Sequence, residues 1–563
     1  MLTFKTRARR WLGVTLAAAL FASLAAVMLK PMLERAVRER IESAARRHGM
    51  VARMGSVHVG VWPFVRLDGF DLDLGHGTKL HADRIAATYP GRLRLEIGAA
   101  NLAGPAGLEL NLPVTAWHVA GIRGGDLQLS LLEPQAGLAI RQQANVAGSG
   151  WNIEARRLDI GHLLEVQRED HPLLEGGIAD GSVNLQSSTD ALRFHVDVGA
   201  RGARFAALAD DAGDEPRLGA ATDVTLRFDG VVRRAEGTIE IPDLQGTFAG
   251  AELSGSIALR DLETDPSVDL TFGVRQLEFG RMLGAAGLAV PESLGMAPGG
   301  NDLGTATIEV SARGRASDPG ALAVSQKVNF TPPRQLPPGI SRLRGDFVYR
   351  SGDGPVPHQP IDVSPSSPDF IALQDVPPLF VRTLLLSEDA GFYGHRGIDL
   401  RELPSALLTN YSRGGAARGA STITQQLAKN LFLSRDKEVG RKLQELAITF
   451  LLESALGKDR ILEIYLNIIE WGPDLRGLRP AARHYFGCEP QALTPAQMAF
   501  LVAIIPGPIK YQRSFAHGTP GPGLRLLIDN LLAKLRSVDA ISEEDYQRAL
   551  GEDIVVAGVS RPE

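Results

Sequence analysis

The spacing of apolar residues changes along this chain, and that change predicts two different folds in its two parts. In the first part apolar and polar residues alternate, as in the run Leu192, Phe194, Val196 and Val198. Such runs, bounded by Gly, Asp, Asn or Pro, are typical of half-buried antiparallel strands. We therefore predict an extended, antiparallel β-rich domain over residues 50–320.

In the second part the spacing becomes helical after Pro378, where Ile423, Leu427 and Leu431 follow one another at intervals of four. This period predicts helices with one apolar face. We assign an all-α domain to residues 371–520 and a C-terminal helical tail to 521–563. The stretch 321–370 between the two parts is rich in proline, which removes backbone donors and disfavours helix, so we predict a linker there.

The N-terminus contains a segment that could cross a membrane. Trp11–Leu29 is 19 residues long and carries no charge, close to the ~20 residues that a spanning helix needs. Four basic residues precede it and no acid occurs before Glu34, which predicts a cytoplasmic N-terminus. We predict a stub and transmembrane anchor over 1–30 and a charged helix over 31–49. A cleaved signal peptide is the alternative. With either kind of segment, the rest of the chain is expected on the outer side of the membrane.

The composition excludes several classes of protein. The sequence has 60 Lys and Arg against 65 Asp and Glu, a net charge of −5, so no overall positive charge points to nucleic acid. Cys488 is the single cysteine, which excludes an internal disulfide framework, a four-cysteine zinc site and a CxxC redox pair.

Two polar clusters in the helical part stand out first. Glu388 and Asp389 end an apolar helix, where acids oppose the helix dipole, so they are candidates for proton transfer or simply a solvated helix end. In the second cluster Ser421, Gln425 and Lys429 share one helical face. A polar stripe with a cation near a helix N-terminus suits an anionic or sugar ligand, and a solvated face is the alternative.

Two further clusters follow along the chain. Arg441 and Lys442 could hold a diphosphate while Glu445 orients them or binds a metal, or Arg441 and Glu445 could form a surface ion pair four residues apart. Glu463 and Asn467 share a face behind an apolar stripe, and we expect them to make structural hydrogen bonds.

The segments EDAGFYGHRG, GASTITQQLAKN, RKLQE and KDRILEIYLN occur in the order and spacing of the family 51 peptidoglycan glycosyltransferases, and residues 365–515 resemble that family. The resemblance implies a lysozyme-like all-α domain that polymerises lipid II outside the cytoplasmic membrane. In that reaction the 4-hydroxyl of the acceptor GlcNAc attacks the anomeric carbon of the donor MurNAc. Undecaprenyl pyrophosphate leaves and the configuration inverts.

The same resemblance implies roles for individual residues. Glu388 would be the general base, and Glu445 the second catalytic acid, near the leaving pyrophosphate. The implied substrate-binding residues are Asp389, Arg418, Ser421, Thr422, Gln425, Gln426, Lys429, Arg441 and Lys442. The implied structural support comes from Phe392, His395, Glu463 and Asn467. A divalent cation such as Mg²⁺ often assists in the family, and its ligands cannot be read from this sequence.

The β-rich part resembles AsmA-type envelope proteins in stretches such as VHVGVWPFVRLDGFDLDL and VDLTFGVRQLEFGRMLG. We expect lipid II, the growing glycan and the inner membrane as partners, with a separate transpeptidase as a further candidate. No transpeptidase is expected in this chain, since it contains no KTG motif and 48 residues follow Phe515. The alternatives are a non-catalytic envelope scaffold that binds lipid II and a lytic transglycosylase.

Overall fold

The computed structural model of the chain describes most of both parts, with gaps. The described residues are 30, 33–46, 50–59, 64–75, 78–88, 93–103, 108–112, 115–120, 127–131, 137–145, 148–160, 165–168, 171–188, 190–205, 218–233, 235–262, 264–315, 317–318, 322–350, 359–402, 421–433 and 441–557. The predicted anchor Trp11–Leu29 lies outside them. Within these ranges no helix is both long enough and apolar enough to cross a bilayer.

The first described helix, α1 (residues 33–46), lies within the stretch predicted as a charged helix. Its Val37 and Ile41 pack against the buried side chains of the first two strands. The Arg38 guanidinium donates to the carbonyl oxygen of Met54 at 2.7 Å. The apolar face of this helix is therefore docked on the sheet.

The described residues of the β-rich region form one sheet of 20 strands. In chain order they are β1 (Val51–Val59), β2 (Phe64–Gly75), β3 (Thr78–Thr88), β4 (Leu93–Ile97), β5 (Ala100–Ala103), β6 (Leu108–Leu112), β7 (Thr115–Ala120), β8 (Leu127–Leu131), β9 (Gly137–Asn145), β10 (Gly148–Asp159), β11 (Glu165–Arg168), β12 (His171–Glu175), β13 (Ile178–Ser187), β14 (Ala191–Phe205), β15 (Thr222–Arg233), β16 (Thr238–Phe248), β17 (Ala251–Arg260), β18 (Ser267–Glu278), β19 (Thr305–Arg315) and β20 (Ala323–Thr331). The described pairings are all antiparallel. The prediction of antiparallel strands is confirmed.

The sheet divides into two branches between β3 and β14. One end of β3 pairs with β4 and the other with β5. The first branch continues through β7, β8, β9, β10 and β13, and the second through β6, β11 and β12. Both reach β14, and from there β15 to β20 follow as consecutive antiparallel neighbours.

The strands from β14 onward present one polar and one apolar face, as the alternation predicts. On the polar face His195 Nδ1 lies 2.8 Å from an Asp229 carboxylate oxygen, and Arg313 pairs with Asp269 at the same distance. On the apolar face the rings of Phe194 and Phe228 meet edge to face. Phe272 on this face keeps 45% of its surface exposed.

The predicted Pro-rich linker is wrong for most of the described residues between 321 and 370. Strand β20 runs to Thr331, beyond the predicted end of the β-rich domain, and helix α3 (Pro338–Ser341) follows it. Helix α2 (Phe279–Ala285) lies earlier in the chain, between β18 and β19. A ribbon of β21 (Phe347–Tyr349) and β22 (Ile361–Val363) follows. The junction is folded because its apolar side chains are buried, with Ile340, Leu343 and Val363 fully inaccessible.

The C-terminal part is built from helices, as predicted. They are α4 (Pro378–Glu388), α5 (Ile423–Phe432), α6 (Arg441–Ala455), α7 (Lys458–Ile468), α8 (Leu478–Phe486), α9 (Pro495–Ile504), α10 (Pro508–Tyr511), α11 (Pro522–Ser537) and α12 (Glu543–Leu550). A short ribbon of β23 (Glu470–Gly472) and β24 (Leu475–Arg476) lies between α7 and α8.

One hydrophobic core joins these helices to the end of the sheet. It runs from Ala251 in β17 to Val556, and Val328 and Phe330 of β20 pack against it. The predicted C-terminal tail belongs to this core, because Leu524, Ile528 and other residues of α11 are buried in it. The helices that carry the candidate site are therefore supported by the sheet on one side and by α11 on another.

Candidate active site

Glu388, the predicted base, is the last residue of α4 and is held by a chain of hydrogen bonds. The amide nitrogen of Gln426 on α5 donates to Glu388 Oε2 at 2.9 Å. The oxygen of the same amide accepts from the hydroxyl of Tyr465 on α7 at 2.9 Å. Because Tyr465 is fully buried, its phenol fixes which way the Gln426 amide faces. This series of hydrogen bonds therefore turns an N–H group of Gln426 toward Glu388.

Burial also keeps the Tyr465 phenol protonated. It raises the pKa of Tyr465 well above its usual range, and the negative charges of Glu388 and Asp389 raise it further. This role of Tyr465 was not predicted, because a tyrosine on the apolar face of a helix has the pattern of an ordinary core residue.

Asp389 is buried and binds protein groups. One of its oxygens accepts from the backbone N–H of Ile423, the first residue of α5, at 2.9 Å. His395 Nε2 lies 2.9 and 3.1 Å from the two carboxylate oxygens. Since the Gly397 N–H donates to His395 Nδ1 at 3.1 Å, the proton of a neutral ring belongs on Nε2. Asp389 and His395 thus join the end of α4, the following loop and the start of α5.

The start of α5 is closed by a capping box. Thr422 Oγ1 accepts from the Gln425 N–H at 3.2 Å, and the Gln425 side chain accepts from the Thr422 N–H at 3.0 Å. Thr422 also donates to the carbonyl oxygen of Gly397 at 2.6 Å. These two predicted substrate-binding residues are buried and make contacts within the fold, whereas Lys429 on the same helix is exposed.

Glu445 is the fifth residue of α6, and its side chain is only 7% exposed. Lys442 forms an ion pair with it and also donates to the Ser421 hydroxyl at 3.3 Å. Arg441, at the start of the helix, is half-buried. Arg418 lies outside the described residues. The structure therefore brings Ser421, Lys442 and Glu445 together just before α5 begins.

A further carboxylate, that of Glu453 with its side chain 9% exposed, supports the site, and the sequence did not indicate it. Glu453 of α6 accepts from the Thr424 hydroxyl at 2.6 Å and pairs with Lys458 at 2.7 Å. The Lys458 ammonium lies 4.4 Å from the centre of the buried Phe392 ring, a cation–π contact. Phe392 thus packs beneath the cation of the Glu453–Lys458 pair. The feature of the sequence that could have indicated Glu453 is its place directly after Leu451 and Leu452, which are both buried in α6.

Glu463 and Asn467 make hydrogen bonds to the backbone of the segment before α4. Asn467 bonds both the N–H and the carbonyl oxygen of Ile371 at 2.9 Å. Glu463 accepts from the Leu373 N–H at 3.1 Å and pairs with Arg460. They fix the segment that leads into α4.

The described residues do not supply a ready-made site for a divalent cation. No group of three or more His, Cys, Asp and Glu side chains in the described ranges has the geometry to hold a metal ion. The Glu445 carboxylate is already engaged by Lys442. Among the described residues, no set of protein ligands is present for the divalent cation that the family resemblance implied.

Comparisons with known proteins place this site in a family. A family model described as Transglycosylase matches residues 358–519, which contain every side chain of the site described above. The biosynthetic peptidoglycan transglycosylase of Rhodopseudomonas palustris (strain HaA2) is 40% identical over 171 residues, or 30% of this chain and 74% of that protein. The chain belongs to the transglycosylase family.

The other similarities of this transglycosylase-family chain are partial. The biosynthetic peptidoglycan transglycosylase of Nitrosomonas eutropha is 52% identical over 130 residues, which are 23% of this chain and 53% of that protein. The chain thus spans about half the length of that curated relative. A solved penicillin-binding protein 1A from Haemophilus influenzae gives a TM-score of 0.20 at 19% identity, covering 38% of this chain and 22% of that one.

Proposed function

We propose that this protein is a peptidoglycan glycosyltransferase that polymerises lipid II into glycan strands and releases undecaprenyl pyrophosphate. One observation carries the proposal: the segment 421–426 connects both candidate acids. Ser421 at its start contacts the Lys442–Glu445 pair, and Gln426 at its end binds Glu388. The relatives named biosynthetic peptidoglycan transglycosylase support it.

The two acids have different neighbours, and these suit different tasks. Glu388 Oε2 is bonded to the neutral amide of Gln426, so Glu388 can accept a proton from the attacking 4-hydroxyl. A new bond then forms between that oxygen and the anomeric carbon of the donor. The bond from this carbon to the diphosphate oxygen breaks, and the electron pair leaves with undecaprenyl pyrophosphate.

Glu445 lies beside a cation, which suits the leaving-group side. Lys442 and Arg441 carry positive charge at the start of α6, and Glu445 orients the Lys442 ammonium. Negative charge grows on the diphosphate as the bond breaks, and cations held in place lower the barrier to that step. Titration of Mg²⁺ in the same assay measures the contribution of a divalent cation to the rate.

The proposal also gives the protein a location. Because lipid II polymerisation takes place at the outer side of the cytoplasmic membrane, the helical part lies on that side, with Trp11–Leu29 as the anchor. Protease added to spheroplasts should degrade the helical part, and deletion of residues 1–30 should release the protein from membranes. A separate transpeptidase would then cross-link the strands.

The direct test is lipid II polymerisation by the purified full-length protein. Wild type should make glycan strands that a muramidase digests, and Glu388→Gln and Glu445→Gln should each lower the rate at least about 100-fold, the scale of general acid–base catalysis. Glu544→Gln is the matched control, since Glu544 is exposed on α12 and pairs with Arg548.

Three outcomes would contradict the proposal. A Glu388→Gln variant that polymerises lipid II at the wild-type rate would show that Glu388 is not the general base. A folded wild type that binds lipid II and makes no polymer would favour the non-catalytic scaffold. Release of soluble fragments from isolated peptidoglycan would favour a lytic enzyme.

A further inference from the structure

Gln326 of β20 reaches from the sheet into the loop that follows the two acids at the end of α4. Its side-chain nitrogen donates to the carbonyl oxygen of Ile398 at 2.9 Å. Its side-chain oxygen accepts from the N–H of Leu400 at 2.8 Å. One amide thus holds the backbone of residues 398–400 through two hydrogen bonds, as a neighbouring strand would.

The position of Gln326 in its strand is unusual. Along β20, Val324, Gln326, Val328 and Phe330 point to one face, where Val328 and Phe330 pack against the helical core. A polar amide on such a face costs free energy unless both of its ends are bonded. Here the backbone of 398–400 bonds both ends, which accounts for a glutamine among apolar neighbours.

The loop held by Gln326 is bonded in turn to the site. Gly397, next to Ile398, donates to His395 and accepts from Thr422 at the start of α5. Gly397 has a φ of +93°, and an added Cβ would lie 2.6 Å from a methyl carbon of Thr449. The space around Gly397 therefore admits no side chain. The backbone of residues 397–400 is held in one conformation when Gln326 is hydrogen-bonded to it.

From this loop the contacts lead to both residues at the end of α4. His395 lies within hydrogen-bond distance of Asp389, which also caps the N-terminus of α5 through Ile423. The same helix carries Gln426, which holds Glu388. A shift of the 397–400 segment would thus move the partners of Glu388 without touching substrate.

Other contacts join the helices to Phe330 of β20 and to the segment between α2 and β19. The Phe330 ring stacks on Phe450 of α6 with centroids 5.5 Å apart. Ser293 donates to the Phe432 carbonyl oxygen and Gln444 to that of Ala289, both at 2.8 Å. The sheet is thus a rigid support from which Gln326 can act.

We propose that Gln326 is a positioning residue for the glycosyl transfer, acting from outside the 358–519 region through the 397–400 segment. The end of the β-sheet is then a working part of the transglycosylase. This inference rests on the proposed function, because the reaction is where its effect is measured.

The test compares Gln326→Leu, Gln326→Glu and wild type as full-length proteins in the lipid II assay. Gln326→Leu removes both hydrogen bonds and suits the apolar face, so the fold should stay intact. Its kcat should fall about tenfold with KM within twofold, because small misplacements of catalytic groups are costly. Gln326→Glu keeps an acceptor for Leu400 and should retain more of the rate. Lys327→Ala, on the opposite face of β20, is the control and should match wild type.

Amide hydrogen exchange supplies a readout that does not depend on activity. In Gln326→Leu the Leu400 amide should exchange faster, and so should those of Gly397 and Ile423, while the melting temperature stays at the wild-type value. Faster exchange at Leu400 with an unchanged kcat would overturn the positioning role. Unchanged exchange at Leu400 would overturn the contact itself.

The two proposals can fail separately. If wild type makes no polymer, the proposed function fails and the exchange pattern alone decides whether Gln326 positions the loop. If wild type is active, Glu388→Gln is inactive and Gln326→Leu matches wild type in kcat, only the present inference is overturned.

Discussion

Two negative charges at the C-terminal end of α4 oppose its dipole, and the structure shows what accommodates one of them. Asp389 accepts from the first N–H of α5, so the acid at the end of one helix caps the positive end of another. Glu388 is instead bonded to a neutral amide. The two acids are adjacent in the sequence, but they bind different partners in the structure. Asp389 caps α5, and Glu388 binds the Gln426 side chain.

Tyr465→Phe tests the series of hydrogen bonds from Tyr465 through Gln426 to Glu388. Without the phenol, the Gln426 amide can turn its oxygen toward the carboxylate, so kcat should fall about fivefold and the free energy of unfolding by about 1 kcal/mol. Because the raised pKa of Tyr465 keeps it protonated, the ratio of the two rates should stay constant from about pH 6 to 9. Steady-state lipid II kinetics across this range measures both quantities.

Tyr393→Phe is the matched control for that substitution. Its phenol is also hydrogen-bonded, to Asp459 at 3.1 Å, but the side chain is 55% exposed and outside the chain that holds Glu388. Equal rates for Tyr465→Phe and wild type would show that Gln426 keeps its orientation without the phenol.

At the scale of elements, the period of apolar residues predicts which segments are strands and which are helices. Ile423, Leu427 and Leu431 lie on the buried face of α5, and Phe194 and Val196 lie in β14, as their spacing indicates. The junction was not predicted, because its prolines suit helix starts as well as linkers. Pro338 opens α3, and burial of Ile340 by distant helices decides the outcome.

The sequence indicated which polar residues belong to the site, but it did not indicate what each of them contacts. Thr422 and Gln425 have the right chemistry for a ligand, yet they satisfy each other in a capping box. Gln326 could not be assigned from its own strand, since its partners Ile398 and Leu400 are more than 70 residues away. Contacts of that kind depend on the tertiary fold, which local patterns do not contain.

Two capping boxes among the described helices allow a matched comparison. Thr422 caps α5 beside the site and Thr494 caps α9 away from it, and each hydroxyl also donates to a second acceptor, Gly397 O or a Glu552 carboxylate oxygen. Thr422→Ala and Thr494→Ala should each cost about 1–2 kcal/mol in the free energy of unfolding, measured in urea.

Only Thr422→Ala should also lower kcat, because it releases the Gly397 loop and the start of the helix that carries Gln426. Equal kcat values for the two variants, at equal loss of stability, would contradict a link between this cap and the geometry of Glu388.

At the scale of the whole molecule, the core makes one unit of the last strands and the helices. Phe330 of β20 and Phe279 of α2 both contact Phe450 of α6, with ring centroids 5.5 and 5.7 Å apart. All three belong to or pack on the core that continues to Val556. The region matched by the family model, 358–519, therefore lacks part of its own core when considered alone.

Phe330→Ala should destabilise sheet and helices together. Removing the ring leaves a cavity against Phe450, and truncation of a core phenylalanine costs about 3 kcal/mol. Phe272→Ala is the control, because that ring lies on the same sheet and is 45% exposed, so its loss should cost under about 1 kcal/mol.

Hydrogen exchange in low concentrations of urea measures this coupling. In Phe330→Ala the amides of β19 and of α6 should lose protection by the same free energy, because opening one exposes the core of the other. A loss confined to β19 would show that the helices form an independent domain. In that case a fragment of residues 358–519 would fold alone, whereas a shared core predicts that this fragment, without β20, α3 and α11, exposes apolar surface and aggregates.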